Sequence, residues 1–308
     1  MADNNRYDIV VIGGGPAGLT AGMYTARAGL KTICIEKGLT GGQINNTSWI
    51  ENFPGFPDSI DGYELGKLMY QQATKFGLET VTAEVTGIVS GSSEKTVTTS
   101  EGEYTAKAVI LAGGSERNTL GAAGEKEYMG KGVSYCATCD APLFKDKKIA
   151  IVGGSDSAIT EALHMVEFAS KVYVIHRRDQ LRATKILQDR AFAEPKIEIV
   201  WDSTVDEIKG DVFVRSMTLN NVKTGTKSTL EVEGVFVSVG FKPDTGYLKG
   251  VVALDPVGHV VTNEKMETNV PGIFAAGDIR LNSARQAITA AGDGATAAVF
   301  AQQYCNEQ

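Results

Sequence analysis

The feature that most narrows what this chain can fold into is a repeat. From Asp8 it reads DIVVIGGGPAGLTAGMYTARAGLKTICIEK, and from Lys148 it reads KIAIVGGSDSAITEALHMVEFASKVYVIHRR. Laid side by side without a gap, the two stretches place Gly13 opposite Gly153. Each passes from an apolar β-branched run through a glycine turn into a segment with apolar residues at three-to-four spacing, then into a second apolar run. Strand, turn, helix and strand in that order make a βαβ unit. Two of them predict an α/β protein with two Rossmann-like, three-layer ββα domains. At 308 residues the chain is long enough for each domain to bury a core of its own.

In the first unit Gly13, Gly15 and Gly18 occupy the positions of G-x-G-x-x-G between strand and helix. There glycine permits a tight turn, close approach of backbone to a pyrophosphate, and close helix packing. Glu36 ends the second strand, where a carboxylate accepts ribose hydroxyls. In the second unit Glu36 and Lys37 are replaced by His176 and Arg177, with Arg178 and Arg182 following. A carboxylate repels a ribose 2′-phosphate, whereas clustered guanidinium groups bind it. The first module therefore suits FAD or NAD, and the second suits NADP(H). At about 1.5–3 kcal/mol per charge-assisted bond, losing two such bonds lowers NADPH-over-NADH preference roughly 10²- to 10⁴-fold. Gly153 and Ala158 keep the pattern, but Ser155 stands where the second glycine is expected.

Between Glu79 and Ala112 the pattern turns to short alternating strands with turn signals at Gly-Ser and Glu-Gly, and "SMTLNNVKTGTKSTLEVEGVFVSVG" repeats that texture in the second half. Each module is expected to carry an inserted antiparallel β meander. After the first module, Gly41 to Gln43 follow closely on the strand carrying Glu36, where they would line the far half of a ligand. Near the C-terminus, "GIFAAGD" is a strand ending in Asp278, an ionisable residue that needs a partner at the end of a buried run. The helix beginning near Arg285 to Ala287 presents its positive end close by.

Four cysteines in a chain this long do not make a disulfide scaffold. Cys34 lies in an apolar strand, Cys305 in the last helix, and only Cys136 and Cys139, in "SYCATCDAPLF", are paired by spacing. Zinc requires two further ligands, and His164, His176 and His259 form no pair, so no metal is expected. A net charge of −7 and a pI near 5.2 argue against a nucleic-acid partner. No run approaches a membrane span, and the N-terminus lacks a basic start followed by an apolar stretch, so a cytoplasmic protein is expected.

With "GGGPAGLTAG", "EKGLTGGQ", "ENFPGF", "CATCD", "HRRDQLRATK", "GIFAAGD" and "RQAITAAGDG" in this order, the sequence resembles the bacterial-type, low-molecular-weight thioredoxin reductases nearly from end to end. The resemblance implies that Gly13, Gly15, Gly18, Glu36, Gln43, Asn52, Asp278, Arg285, Gln286 and Ala287 contact FAD. Gly153, Ser155, Ala158, His176, Arg177, Arg178 and Arg182 would hold NADPH. It also implies a redox-active disulfide between Cys136 and Cys139, with Cys139 nearer the flavin, Cys136 attacking thioredoxin, and Asp140 as general acid. A homodimer is implied too. Residues 1–117 and 245–308 would form the FAD-binding domain and 118–244 the NADPH-binding domain. Because "CATCD" directly precedes the second module, domain rotation between half-reactions is expected, with hinges near Arg117–Asn118 and Lys242–Thr245. The alternatives are a related reductase serving a glutaredoxin-like or peroxiredoxin-linked protein, one using NADH, a dithiol oxidase, or a redox-sensing flavoprotein. Gly113 departs from the family, which carries threonine there.

Overall fold

The structure, a computed structural model, describes residues 5–47, 50–91 and 94–308, except for the side chains of Thr138 and Cys139. In chain order the elements begin with β1 (Arg6–Ile12), α1 (Pro16–Arg27), β2 (Thr32–Glu36), α2 (Gly62–Lys75), β3 (Glu79–Thr82), β4 (Val85–Ser90), β5 (Lys95–Thr99), β6 (Gly102–Leu111) and β7 (Ser115–Arg117). They continue with β8 (Val133–Ser134), α3 (Ala137–Asp140), β9 (Lys148–Gly153), α4 (Asp156–Met165), β10 (Lys171–Ile175), α5 (Lys185–Ala193) and β11 (Ile197–Val200). Last come β12 (Ser203–Gly210), β13 (Val214–Asn221), β14 (Lys227–Glu231), β15 (Gly234–Ser238), β16 (Phe241–Pro243), β17 (Ile273–Ala275) and α6 (Ala287–Glu307). Contacts divide the chain into two compact units, Met1–Glu116 with Lys242–Gln308, and Arg117–Phe241.

The first unit is built on a sheet ordered β3-β2-β1-β6-β5-β4, with β17 also paired to β6. Strands β3, β2, β1, β6 and β17 are parallel. Successive residues of β1 enter opposite cores: Val10 and Ile12 face one layer, Ile9 and Val11 the other. Burial on both faces explains why the run is apolar throughout rather than alternating. Helices α1 and α6 cover one face so closely that a Cβ on Gly294 would lie 2.1 Å from the Ala17 carbonyl oxygen. The meander here is no separate sheet. Strand β6 is ten residues long, and its first half pairs antiparallel with β5 while its last three residues pair with β17. Ser92, within the expected Gly-Ser turn, lies outside the described residues.

The second unit repeats the plan. Its sheet runs β11-β10-β9-β15-β8, every neighbouring pair parallel, with α4 and α5 packed on one core and a separate antiparallel sheet β12-β13-β14 on the other. The chain crosses between units twice, and the crossing strands β7 and β16 are hydrogen-bonded neighbours. Among the described residues, no helix is long and apolar enough to cross a membrane.

Candidate functional site

In the first unit, β1 runs into a turn that glycine alone can make. Gly13 has φ +103°, and a Cβ on it would lie 2.3 Å from the Ala112 carbonyl oxygen. A Cβ on Gly18 would come within 1.7 Å of the Gly13 carbonyl oxygen, so α1 is seated directly on the turn. Gly15 differs: it caps α1 in an extended conformation, and a Cβ there would meet only the Gly42 Cα, 4.0 Å away. Its missing side chain leaves the helix N-terminus open to an anion. Glu36 closes the turn from β2, its carboxylate accepting the Gly14 and Gly38 N–H groups at 2.6 and 2.9 Å. The Gly41 N–H donates to the Gly14 carbonyl at 2.8 Å, and Gln43 Nε2 donates to the Ser115 carbonyl at 3.2 Å. The structure thus brings Gly13, Gly15, Gly18, Glu36 and the Gly41–Gln43 segment together.

The remaining unit-one residues form a second group on the other side of β6. Asp278 lies in a one-turn 3₁₀ segment after β17. Burial pushes its carboxyl above the ordinary range, and the Ser283 hydroxyl donates to it at 2.9 Å. Arg285 sits at φ +55° with its N–H on the Ser283 hydroxyl, Gln286 caps α6, and Ala287 is the helix's first residue. Asn52 Nδ2 donates to Gln286 Oε1 at 2.8 Å. Strand β6 lies between β1 and β17, so both groups leave the carboxyl edge of one sheet, where doubly wound folds bind ligands.

Sequence reading missed the pair that fixes this second turn. Asp293, on α6, accepts Arg280 Nε and Nη2 at 2.6 and 2.9 Å and the Gly277 N–H at 3.1 Å. An acid embedded in an Ala- and Gly-rich helix was the available signal. At Gly113 a Cβ would make ordinary contacts, 3.6 Å from Ile279 Cδ1 and from the Tyr247 hydroxyl. That hydroxyl is buried without a hydrogen-bond partner among the described residues, and burial raises its pKa.

In the second unit, Gly153 ends β9 where a Cβ would lie 2.4 Å from the Ser238 carbonyl oxygen and 2.7 Å from the Ala158 Cβ. Ser155 caps α4 in the same extended conformation as Gly15, and its hydroxyl makes no capping bond. Arg177, Arg178 and Arg182 are exposed, whereas His176 is only 6% exposed. The structure brings the turn and the basic loop together but turns the His176 ring inward.

Cys136 lies beyond β8, on the same carboxyl edge as the Gly153 turn, with β15 between them. It is half-buried and disulfide-bonded; the side chain of Cys139, its expected partner, lies outside the described residues. The buried Ser134 hydroxyl accepts the Cys136 N–H at 3.0 Å and donates to the Cys136 carbonyl at 3.3 Å. The Asp140 N–H donates to that carbonyl at 3.2 Å, closing α3. Tyr135 is tethered through its hydroxyl to Glu125, a 2%-exposed carboxylate that also takes the Leu120 and Gly121 N–H groups at 2.7 and 2.8 Å. Cys34 and Cys305 are free and buried, and burial pushes their thiols up to about 12 and about 11. Such thiols are inert at neutral pH. Among the described residues, no group of three or more His, Cys, Asp or Glu side chains could hold a metal ion.

Residues 7–294 match the family model of the pyridine nucleotide-disulphide oxidoreductases. A thioredoxin reductase of Listeria innocua is 48% identical over all of this chain and 97% of its own length, and one of Bacillus subtilis is 46% identical over the same shares. Among solved structures, the thioredoxin reductase of Lactococcus lactis is 44% identical with a TM-score of 0.96, covering 98% of this chain and 100% of that one. That of T. acidophilum is 34% identical with a TM-score of 0.94, covering 99% of each chain. Identity this high over entire chains exceeds what a shared fold alone produces, and the chain belongs to the thioredoxin reductases within the pyridine nucleotide-disulphide oxidoreductase family.

Proposed function

We propose that this chain is an FAD-dependent thioredoxin-disulfide reductase that draws its electrons from NADPH. The observation that carries the reading is the disulfide-bonded Cys136, lodged in the same unit as the arginine-bearing turn. The first unit fits FAD: Gly15 would open the α1 N-terminus to a pyrophosphate, Glu36 would accept ribose hydroxyls, and Asp278 with the α6 N-terminus at Arg285, Gln286 and Ala287 would serve the ribityl and ring end. Gly13, Gly18, Gln43 and Asn52 shape that cradle. NADPH fits the second unit, with Gly153, Ser155 and Ala158 at the phosphates and Arg177, Arg178 and Arg182 at the 2′-phosphate.

When bound, FAD links the hydride of a nicotinamide to the electron pair that a disulfide accepts. The chain's own work begins at sulfur. Two electrons and two protons break the Cys136–Cys139 bond and leave two thiols. Cys136 then attacks the thioredoxin disulfide, forming a mixed disulfide; Cys139 attacks Cys136, restoring the internal bond and releasing thioredoxin as a dithiol. Asp140 moves the proton between carboxyl and thiol. Ser134, bonded to both backbone groups of Cys136, holds that residue in place while its sulfur changes partners.

The nicotinamide site and the sulfur pair belong to the second unit, Arg117–Phe241, and the flavin site to the first, Met1–Glu116 with Lys242–Gln308. Carried by one unit, the two would compete for one face of the flavin ring, so turnover includes rotation about the two crossings. On the first unit's side, Lys37 Nζ bridges Glu116 and Asp244 at 3.2 and 2.7 Å. On the second unit's side, Arg117 pairs with Glu161 at 3.1 Å and lies over the Phe241 ring. A cytoplasmic homodimer without nucleic-acid or membrane partners completes the reading, and sedimentation of the purified protein tests the dimer.

The deciding assay supplies the flavin-loaded protein with NADPH or NADH and a disulfide dye, with and without thioredoxin. Thioredoxin-dependent turnover with a strong preference for NADPH is expected. Absence of such turnover with either nucleotide would overturn the assignment.

A further inference from the structure

We infer that His176 sets nucleotide specificity without touching the nucleotide: it is a buried strut that locks the arginine loop onto the phosphate-binding turn. The inference rests on the second unit being the NADPH site. The imidazole is 6% exposed, with Nδ1 3.0 Å from the Gly153 carbonyl oxygen and Nε2 2.9 Å from the Gln180 carbonyl oxygen. One end of the ring thus grips the glycine turn, and the other grips the middle of the loop carrying Arg177, Arg178 and Arg182. Both partners are acceptors, so a neutral ring donates to one carbonyl and packs against the other, whereas an imidazolium donates to both.

The surroundings are shaped to admit the ring. A Cβ on Gly154 would lie 2.4 Å from His176 Nδ1, so the ring occupies the space that a side chain at 154 would need. Trp201 packs edge-on against the ring, with centroids 6.2 Å apart. The loop is pinned again at its far end, where the Arg182 and Ala183 N–H groups donate to the Gly154 carbonyl at 2.7 and 3.2 Å. The Thr184 N–H donates to Asp156 Oδ1 at 2.6 Å. The backbone of His176 is held on both sides, its N–H on the Val200 carbonyl and its carbonyl under the Ser203 N–H.

A guanidinium recognises phosphate through a rigid fork, so its contribution to specificity depends on how firmly its backbone is placed relative to the rest of the ligand. Without the ring, the middle of the loop loses its only side-chain tie to the turn among those the described residues make at Gln180. Three exposed arginines would then still attract the 2′-phosphate but no longer meet it in one geometry. The chemistry recognised is a phosphomonoester on a ribose; the histidine recognises the chain's own carbonyls.

The test compares kcat/KM for NADPH and for NADH, whose ratio cancels losses of folded or flavin-loaded protein. His176→Asn is expected to lower the ratio about tenfold, as is Gly154→Ala, which displaces the ring while leaving its chemistry intact. In a background with Arg177, Arg178 and Arg182 replaced by alanine, His176→Asn is expected to change the ratio no further, because it acts only through them. An unchanged ratio in His176→Asn, or a further tenfold fall in the arginine-free background, overturns the inference. A wild-type measurement independent of folding is exchange of the histidine ring protons by ¹⁵N NMR, simplified by a chain with 3 histidines. A slowly exchanging His176 ring proton before any nucleotide is added supports the strut, and free exchange contradicts it. If the wild-type enzyme shows no preference for NADPH at all, it is the underlying assignment of the second unit that fails.

Discussion

One residue at each glycine turn caps the helix that follows it, Gly15 in the first unit and Ser155 in the second. Ser155 and Gly15 cap their helices with nearly the same backbone, φ −91° and −77°, so serine at 155 is not a conformational compromise. What it changes is the space and the hydroxyl presented at the α4 N-terminus. Ser155→Gly is expected to lower the KM for NADPH several-fold while changing stability by only a few tenths of a kcal/mol. Titration with NADPH and a thermal melt check both parts, and a raised KM would show that the hydroxyl itself binds phosphate. The cysteines act at the same scale. Cys136→Ser or Cys139→Ser is expected to cut thioredoxin reduction at least about 10³-fold, because no exchange proceeds without the pair. Bleaching of flavin absorbance by NADPH, which does not involve sulfur, should survive in both; stopped-flow traces lacking it would reverse the proposed order of steps.

At the scale of elements, the repeated βαβ pattern was legible because burial on both faces of a parallel sheet forces an apolar run, and a glycine turn must follow. The extent of β6 was not legible. Its dual pairing with β5 and β17 depends on partners more than a hundred residues apart in the chain, which no local periodicity records. Helix α4 holds another such feature. Burial raises the Glu161 carboxyl above the ordinary range, although the Arg117 guanidinium and the Ser238 hydroxyl pull it down. For an acid raised in the folded state, the stability contributed is complete below its unfolded value, near 4.5, and is lost as pH rises through the higher folded value. Glu161→Gln, which cannot ionise, is expected to flatten the melting temperature against pH above that point. A series of melts between about pH 4 and 8 tests this, and a slope equal to wild type would place the pH dependence elsewhere.

For the whole molecule, the proposed function turns on having the sulfur pair and the second glycine turn in a unit other than the one proposed to cradle the flavin. A covalent crosslink joining the two units is expected to permit at most one half-reaction and to stop multiple turnover, with activity returning when the crosslink is cleaved. Full steady-state activity while crosslinked would remove the need for rotation. The candidate residues could be named from the order of motifs, yet their grouping could not. Asn52 meets Gln286 across most of the chain, and Asp293 fixes the turn before Asp278 only because α6 folds back onto it.

Fold class, the duplicated nucleotide modules and the paired cysteines follow from local order, since strand, turn and helix patterns and charge at a strand end are written in consecutive residues. Which polar atoms face a ligand and which face the chain's own backbone does not. His176 stands beside two arginines in the sequence, but its ring is buried between the Gly153 and Gln180 carbonyls while the arginine side chains are exposed. That division arises from the packing of β9, β10 and their loops, where a polar ring can be buried because its nitrogens face hydrogen-bond partners.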